Sequence, residues 1–199
     1  ADVVINLVGI LNEGGAADLR FANVHAEFPA MVANTAVTTG VKRLLHMSAL
    51  NADAGENNSI YLRTKGEGEN SVHAAEAKGL AVTSVRPSVI FGPGDSFFNR
   101  FATLLKMSPL AFPLACPDSR FAPVYVGDVV DAFAHALEHD ATVGQRLDLC
   151  GPDEFTLKQL VEYTRDTLGL RQCILGLGDG MSKMQARILG LMPGKPFTM

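Results

Sequence analysis

The stretch "GVKRLLHMSAL", Gly40 to Leu50, decides how the chain is read. Gly40 stops whatever precedes it, and Leu44 to Ser48 is a short apolar run bounded by turn signals, as a buried strand requires. Upstream, Asp18 to Thr39 carries Phe21, Val24, Phe28, Met31/Val32 and Thr35/Ala36 at helical spacing, and Pro29 should kink or restart that helix. Further upstream, "DVVINLVG" is an apolar run ending at Gly9 and reads as another fully buried strand. Downstream, the polar loop "NADAGENNS" leads to a helix opening at Tyr61 and running to about Gly79, after which "LAVTSV" supplies a third strand ending at Arg86-Pro87. Strand, helix, strand, helix, strand in that order implies parallel pairing through right-handed crossovers and a doubly wound α/β sheet. A ligand site in such a sheet lies beyond the carboxyl ends of the strands, which here are Gly9, Ser48 and Arg86-Pro87-Ser88.

The rest is more mixed. "FFNRFATLLKM" reads as a helix and "RFAPVYVG" as a strand. Asp128 reads as the N-cap of a helix to about Glu138, with Val129, Phe133 and Ala136/Leu137 on one face. "QRLDLCG" reads as a strand, and Thr156 with Gln159 as a capping box. A last amphipathic helix is expected from Met181, Met184, Ile188, Leu191 and Met192, a face suited to core or dimer packing.

Bulk properties exclude several classes. The 199 residues carry a net charge of −4 with no compensating Lys/Arg cluster, which argues against a nucleic-acid partner. No apolar run reaches membrane-spanning length. Cys116, Cys150 and Cys173 are widely spaced and lack metal-ligand spacing, so they are expected as buried free thiols in a cytoplasmic protein. His46, inside a strand, is expected as a hydrogen-bonded structural histidine; His25 has no acidic partner at ligand spacing, so no metal site is expected. His73, His135 and His139 read as solvated, as do Glu67 and Glu69.

The chemistry is concentrated in "IYLRTKGEGE", residues 60–69. Tyr61 and Lys65 are four apart on one helix face, so an ammonium can sit near a phenol. A cation there would lower the phenol's pKa from about 10 and allow proton exchange with a substrate hydroxyl or carbonyl.

Around this pair the chain resembles the short-chain dehydrogenase/reductase superfamily, in its extended and atypical branches (the NAD-dependent epimerase/dehydratase family). "DVVINLVG" is similar to the family's fourth strand, "NVHAE" to its N-V-x-G-T helix motif with Ala26 and Glu27 in place of Gly and Thr, and "VKRLLHMSA" to the strand delivering its serine. "SVRPSVIFGPGD" is similar to its R-P-x-x-x-(Y/F)-G-P-G segment, and "PVYVGDVVDAF" to a downstream motif. "VHAEFPAMVA", "HMSALNA" and "YLRTKGEGE" resemble more narrowly the branch of the 39-kDa accessory subunit of respiratory complex I, which is understood to hold NADPH without established turnover.

The resemblance implies a Rossmann-like doubly wound parallel sheet, N-terminally truncated, over residues 1–95, with residues 96–199 forming a smaller substrate lobe that partly returns to the core. It implies NAD or NADP as cofactor, with Tyr61 as proton donor or acceptor, Lys65 on the nicotinamide ribose and Ser48 on the reacting carbonyl. Leu7, Val8 and Gly9 would line the adenosine side, Pro87, Ser88 and Val89 the nicotinamide, and Asn23 and Met47 would also face the cofactor. Two departures stand out: Ser48 is a single hydroxyl between Met47 and Ala49, and no Gly-rich turn after a first strand is present, "GLGDG" at Gly176–Gly180 having the wrong spacing and position. The chain thus reads as a fragment whose first β-α-β-β units are missing. Three functions follow: a small-molecule oxidoreductase, epimerase or dehydratase; a cofactor-holding structural or assembly protein, peripherally associated with a respiratory complex; and a dinucleotide-sensing regulator. A homodimer is a further expectation.

Overall fold

The computed structural model describes residues 1–13, 20–55, 59–108 and 110–177. The expected helix around Met181, Met184, Ile188, Leu191 and Met192 and most of "GLGDG" lie outside them. The chain divides into two units, one of Ala1–Pro87 with Asp128–Leu149, the other starting with Ser88–Gly127 and resuming at Cys150.

In the first unit β1 (Val3–Asn6), β2 (Arg43–Met47), β3 (Ala81–Pro87) and β8 (Arg146–Leu149) form a parallel sheet in the order β1-β2-β3-β8. A π-helical turn, Ala22–Glu27, runs into α1 (Phe28–Thr38) between β1 and β2. Helix α2 (Ile60–Ala74) lies between β2 and β3, with Ser59 Oγ accepting the Leu62 N–H at its start and Gly79, at φ 87°, ending the short 3-10 turn that follows it. Both helices cover one sheet face. Leu44 and Val82 are fully buried there among Ala33, Ala36, Val72, Ala75 and Leu80. Strand alternation turns Arg43 to the opposite face, where its Nη2 donates to Thr83 Oγ1 (2.8 Å), Thr142 Oγ1 (2.8 Å) and the carbonyl of Ala136 (2.7 Å) in α4 (Val126–Glu138). Helices on both faces of a parallel sheet make this the doubly wound, Rossmann-like fold expected from the sequence.

In the second unit β4 (Ile90–Phe91) pairs with β7 (Val124–Tyr125), β5 (Ala111–Leu114) with β10 (Cys173–Gly176), and β6 (Arg120–Phe121) with β9 (Phe155–Thr156). Helices α3 (Phe97–Met107) and α5 (Leu157–Thr167) pack through Phe101, Leu105, Phe112, Leu114, Val161 and Ile174. The Thr156/Gln159 capping box is formed as expected.

Several expectations are corrected. The run 2–9 is not a fully buried strand: β1 is an edge strand among the described residues, Ile5 is open on one face, and Leu7 and Val8 have left the sheet and are exposed. "RFAPVYVG" divides into β6 and β7 around Pro123, which has no N–H to give to a ladder. Asp128 lies inside the first turn of α4 rather than capping it, because the helix starts two residues earlier. All three cysteines are exposed: Cys150 follows the last residue of edge strand β8, and Cys173 opens the two-stranded ribbon β5–β10.

Candidate functional site

Tyr61 and Lys65 stand one turn apart at the start of α2, beside the carboxyl end of β2. Lys65 is 4% exposed, and its Nζ donates to the Met47 carbonyl at 2.7 Å. Burial lowers its pKa to about 8, against the raising influence of Glu69. The turn after β1 closes over this ammonium: a Cβ on Gly9 would lie 3.7 Å from Lys65 Nζ and 3.8 Å from His25 Nε2. Gly9, Met47, Tyr61 and Lys65 are thus gathered at one sheet edge.

Tyr61 differs from its expected behaviour. Burial pushes its phenol above the usual value, because the ring sits edge-on to His25 (centroids 5.2 Å) and Phe21 (5.9 Å) while the Lys65 ammonium is turned to Met47. Ser48 is also recessed. It shares its strand face with Leu44 and His46, is 3% exposed, and its Oγ finds no hydrogen-bond partner among the described residues. Asn23 is half-buried in the π-helical turn. Pro87 ends β3, its carbonyl accepting the Leu50 N–H at 3.0 Å. Ser88 and Val89 belong to the second unit, where the Val89 carbonyl accepts the Val124 N–H.

Two histidines have tautomers fixed by their surroundings. The Ile10 N–H can only donate, so His25 Nε2 accepts it (3.0 Å) and the ring proton is on Nδ1, facing Thr64 Oγ1 at 3.3 Å. The Val8 N–H likewise claims Asn6 Oδ1, leaving Asn6 Nδ2 to donate to His46 Nδ1 at 3.2 Å. Burial first, then the Lys65 charge, lowers His25 to about 4 and His46 to about 3. His46 is the structural histidine anticipated.

Two residues read as solvated, Glu69 and His73, turn out to continue the Tyr61–Lys65 stripe of α2 towards β3. Glu69 is fully buried and accepts from Arg86 Nε (2.9 Å) and Nη2 (2.5 Å), with Arg146 Nε at 3.9 Å. His73 pairs with Ser84 Oγ at 3.0 Å and Glu76 at 3.3 Å, and burial lowers its pKa. A polar cavity of about 420 Å³ is lined by Asp53, Gly66, Glu69, Asn70, Arg86 and Arg146, one turn of α2 further on from Lys65. The unusual glycines of "KGEGE" were the overlooked signal. A Cβ on Gly66 would come within 2.5 Å of the Asp53–Ala54 backbone, and one on Gly68 would overlap the His25 carbonyl.

The family model described as the NAD dependent epimerase/dehydratase family matches residues 1–150. The chain belongs to that family. It is 30% identical over 200 aligned positions to "NADH dehydrogenase [ubiquinone] 1 alpha subcomplex subunit 9, mitochondrial" of Rattus norvegicus, covering 100% of this chain and 51% of the rat protein. The protein of the same description in Arabidopsis thaliana is 33% identical over 170 positions, covering 84% of this chain and 41% of the relative. The chain therefore spans about half the length of the curated relatives it matches. Among solved structures it superposes on MoeE5 in complex with UDP-glucuronic acid and NAD (TM-score 0.73, 19% identity, 89% of this chain and 66% of that one) and on a UDP-galactose 4-epimerase (0.72, 21%, 90% and 66%). At such identities the likeness establishes the fold. Within this family the first unit is its Rossmann-like sheet, and Tyr61, Lys65 and Gly9 lie on the edge where such sheets take ligands.

Proposed function

We propose that this chain is the part of an NAD(P)-binding protein that grips the ribose–nicotinamide end of a tightly held dinucleotide. The observation that carries the reading is the Lys65 ammonium, buried, anchored on the Met47 carbonyl and roofed by a glycine whose missing side chain leaves room beside it. Such a fixed donor suits ribose hydroxyls, and Gly9 lets a ligand approach the backbone closely. The exposed Leu7 and Val8 offer apolar surface next to it.

The bound nicotinamide would supply or accept hydride. The residues of this chain are better arranged for holding than for proton transfer. Burial holds Tyr61 toward its neutral form, and Ser48 is itself buried. A second reading, turnover of a carbonyl or nucleotide-sugar-like substrate with Tyr61 exchanging the proton, is favoured by the Tyr61–Lys65 spacing and by the epimerases and dehydratases among the structural neighbours. The rat relative's description adds a proposal of association with a respiratory complex; cytoplasmic placement is likewise a proposal.

The test is a fluorescence titration of the intact protein with NADH and NADPH, alongside Tyr61→Phe. This chain has no Trp to interfere. Tight, slowly exchanging binding by both proteins is expected. Exchangeable binding with Tyr61-dependent oxidation of NAD(P)H by a carbonyl would establish the second reading. No binding would overturn both.

A further inference from the structure

His25, in the "NVHAE" stretch, ties several segments of the candidate site together. It sits in the π-helical turn, a wider turn in which the Phe28 N–H reaches back five residues to the Asn23 carbonyl. Its own carbonyl loses an N–H partner to Pro29 and packs against Gly68 in α2. Its side chain, 1% exposed, touches three separate segments. Nε2 accepts the Ile10 N–H in the turn after β1, Nδ1–H donates to Thr64 in α2, and the ring stacks on Phe21 (5.2 Å, 16°) while meeting Tyr61 edge-on (5.2 Å, 89°). Thr64 Oγ1–H passes the chain on to the carbonyls of Ile60 and Tyr61 at 2.9 and 3.0 Å.

Only a neutral imidazole does all of this. Phenylalanine keeps the ring contacts and loses both hydrogen bonds; glutamine offers an acceptor at about the reach of Nε2 and loses the stack. The consequence is geometric. Gly9 is held near Lys65, and the Tyr61 ring is held in one orientation, by a residue that need not touch a ligand.

We propose that His25 is a positioning residue that locks the Gly9–Ile10 turn and the Tyr61 ring to helix α2, so that a dinucleotide meets a preformed surface. The structural half stands on the contacts above; the dinucleotide half rests on the reading under Proposed function.

The test uses the intact protein in three steps. Two-bond proton–nitrogen correlation at pH 7 is expected to show His25 protonated on Nδ1 alone, and a proton on Nε2 would overturn the proposal. In His25→Phe, amide exchange at Ile10 should speed up about tenfold or more, whereas His25→Gln should stay within about threefold of the parent, since one acceptor is restored. Equal exchange in parent and His25→Phe would overturn it. The NADH dissociation constant should follow the same order, about tenfold weaker in His25→Phe with recovery in His25→Gln, at melting temperatures that do not track it. Unchanged affinity in a His25→Phe protein with a loosened turn would overturn the dinucleotide half. If His25→Phe fails to fold, Thr64→Val removes the Nδ1–H acceptor and keeps the imidazole; about threefold or greater acceleration at Ile10 is expected, and none would count against the lock. A parent that binds no NADH would sink the function proposed above, while the tautomer and Ile10 exchange still decide the positioning role.

Discussion

At the scale of single residues, Glu69 shows how a correct helix can carry a wrong solvent face. Its spacing from Lys65 puts both on adjacent turns of α2, and a carboxylate on a helix reads as solvated by default. The deciding partner, Arg86, comes from β3, and only the fold brings it within 2.5 Å. A buried carboxylate held by a bidentate guanidinium adds little over an apolar pair, yet breaking it strands a charge. Glu69→Gln is therefore expected to cost about 3–5 kcal/mol in urea unfolding. Glu69→Leu combined with Arg86→Met should recover most of that, and a single-variant cost under about 1 kcal/mol would refute the account.

At the scale of elements, α1 and α2 were legible from helical spacing, but their phase was not. The sequence offers Phe21, Val24, Phe28, Met31/Val32 and Thr35/Ala36 as the inner face; the structure buries Phe21 and Ala36 of these, adds His25, Pro29 and Ala33, and leaves Met31 57% exposed. The π-helical turn inserts one residue's rotation ahead of Pro29, and no periodicity announces that. The compensating mark sat in the partner helix, where two glycines inside α2 make room for backbone. Replacing a helix glycine by alanine ordinarily gains up to about 1 kcal/mol. Gly68→Ala should instead lose about 2 kcal/mol or more, because its Cβ meets the His25 carbonyl rather than a movable side chain. Differential scanning calorimetry checks the sign, and a raised melting temperature would remove Gly68 from the helix contact.

At the scale of the whole molecule, the first unit was readable because long buried runs alternate with long helices. The second was less so, since strands of two residues carry no pattern and Pro123 divides one of them. The buried histidines have a collective consequence that no local pattern gives. Unfolded, His25 and His46 each take a proton near pH 6.5; folded, they resist until about 4 and about 3. The unfolded chain binds more protons between those limits, so stability rises with pH across the window and falls on acidification. Two protons correspond to about 2.7 kcal/mol per pH unit. Urea midpoints at pH 6 and pH 5 should show a loss of that order, and His25→Gln should roughly halve the slope. A flat profile would mean that the two rings are charged in the folded protein.

The pairing of β3 with β8 also sets a clock on synthesis. Ser84 faces Arg146 across the sheet, and the first unit is interrupted from Ser88 to Gly127. A growing chain that has completed β1, β2 and β3 must carry the outer edge of β3 bare while roughly sixty more residues leave the ribosome, an interval on the order of several seconds. During that interval an unpaired parallel edge is a template for the wrong strand, from this chain or from a neighbouring ribosome. Nascent chains arrested between residues 90 and 145 should therefore be the forms most dependent on chaperones, and release past Leu149 should end that dependence.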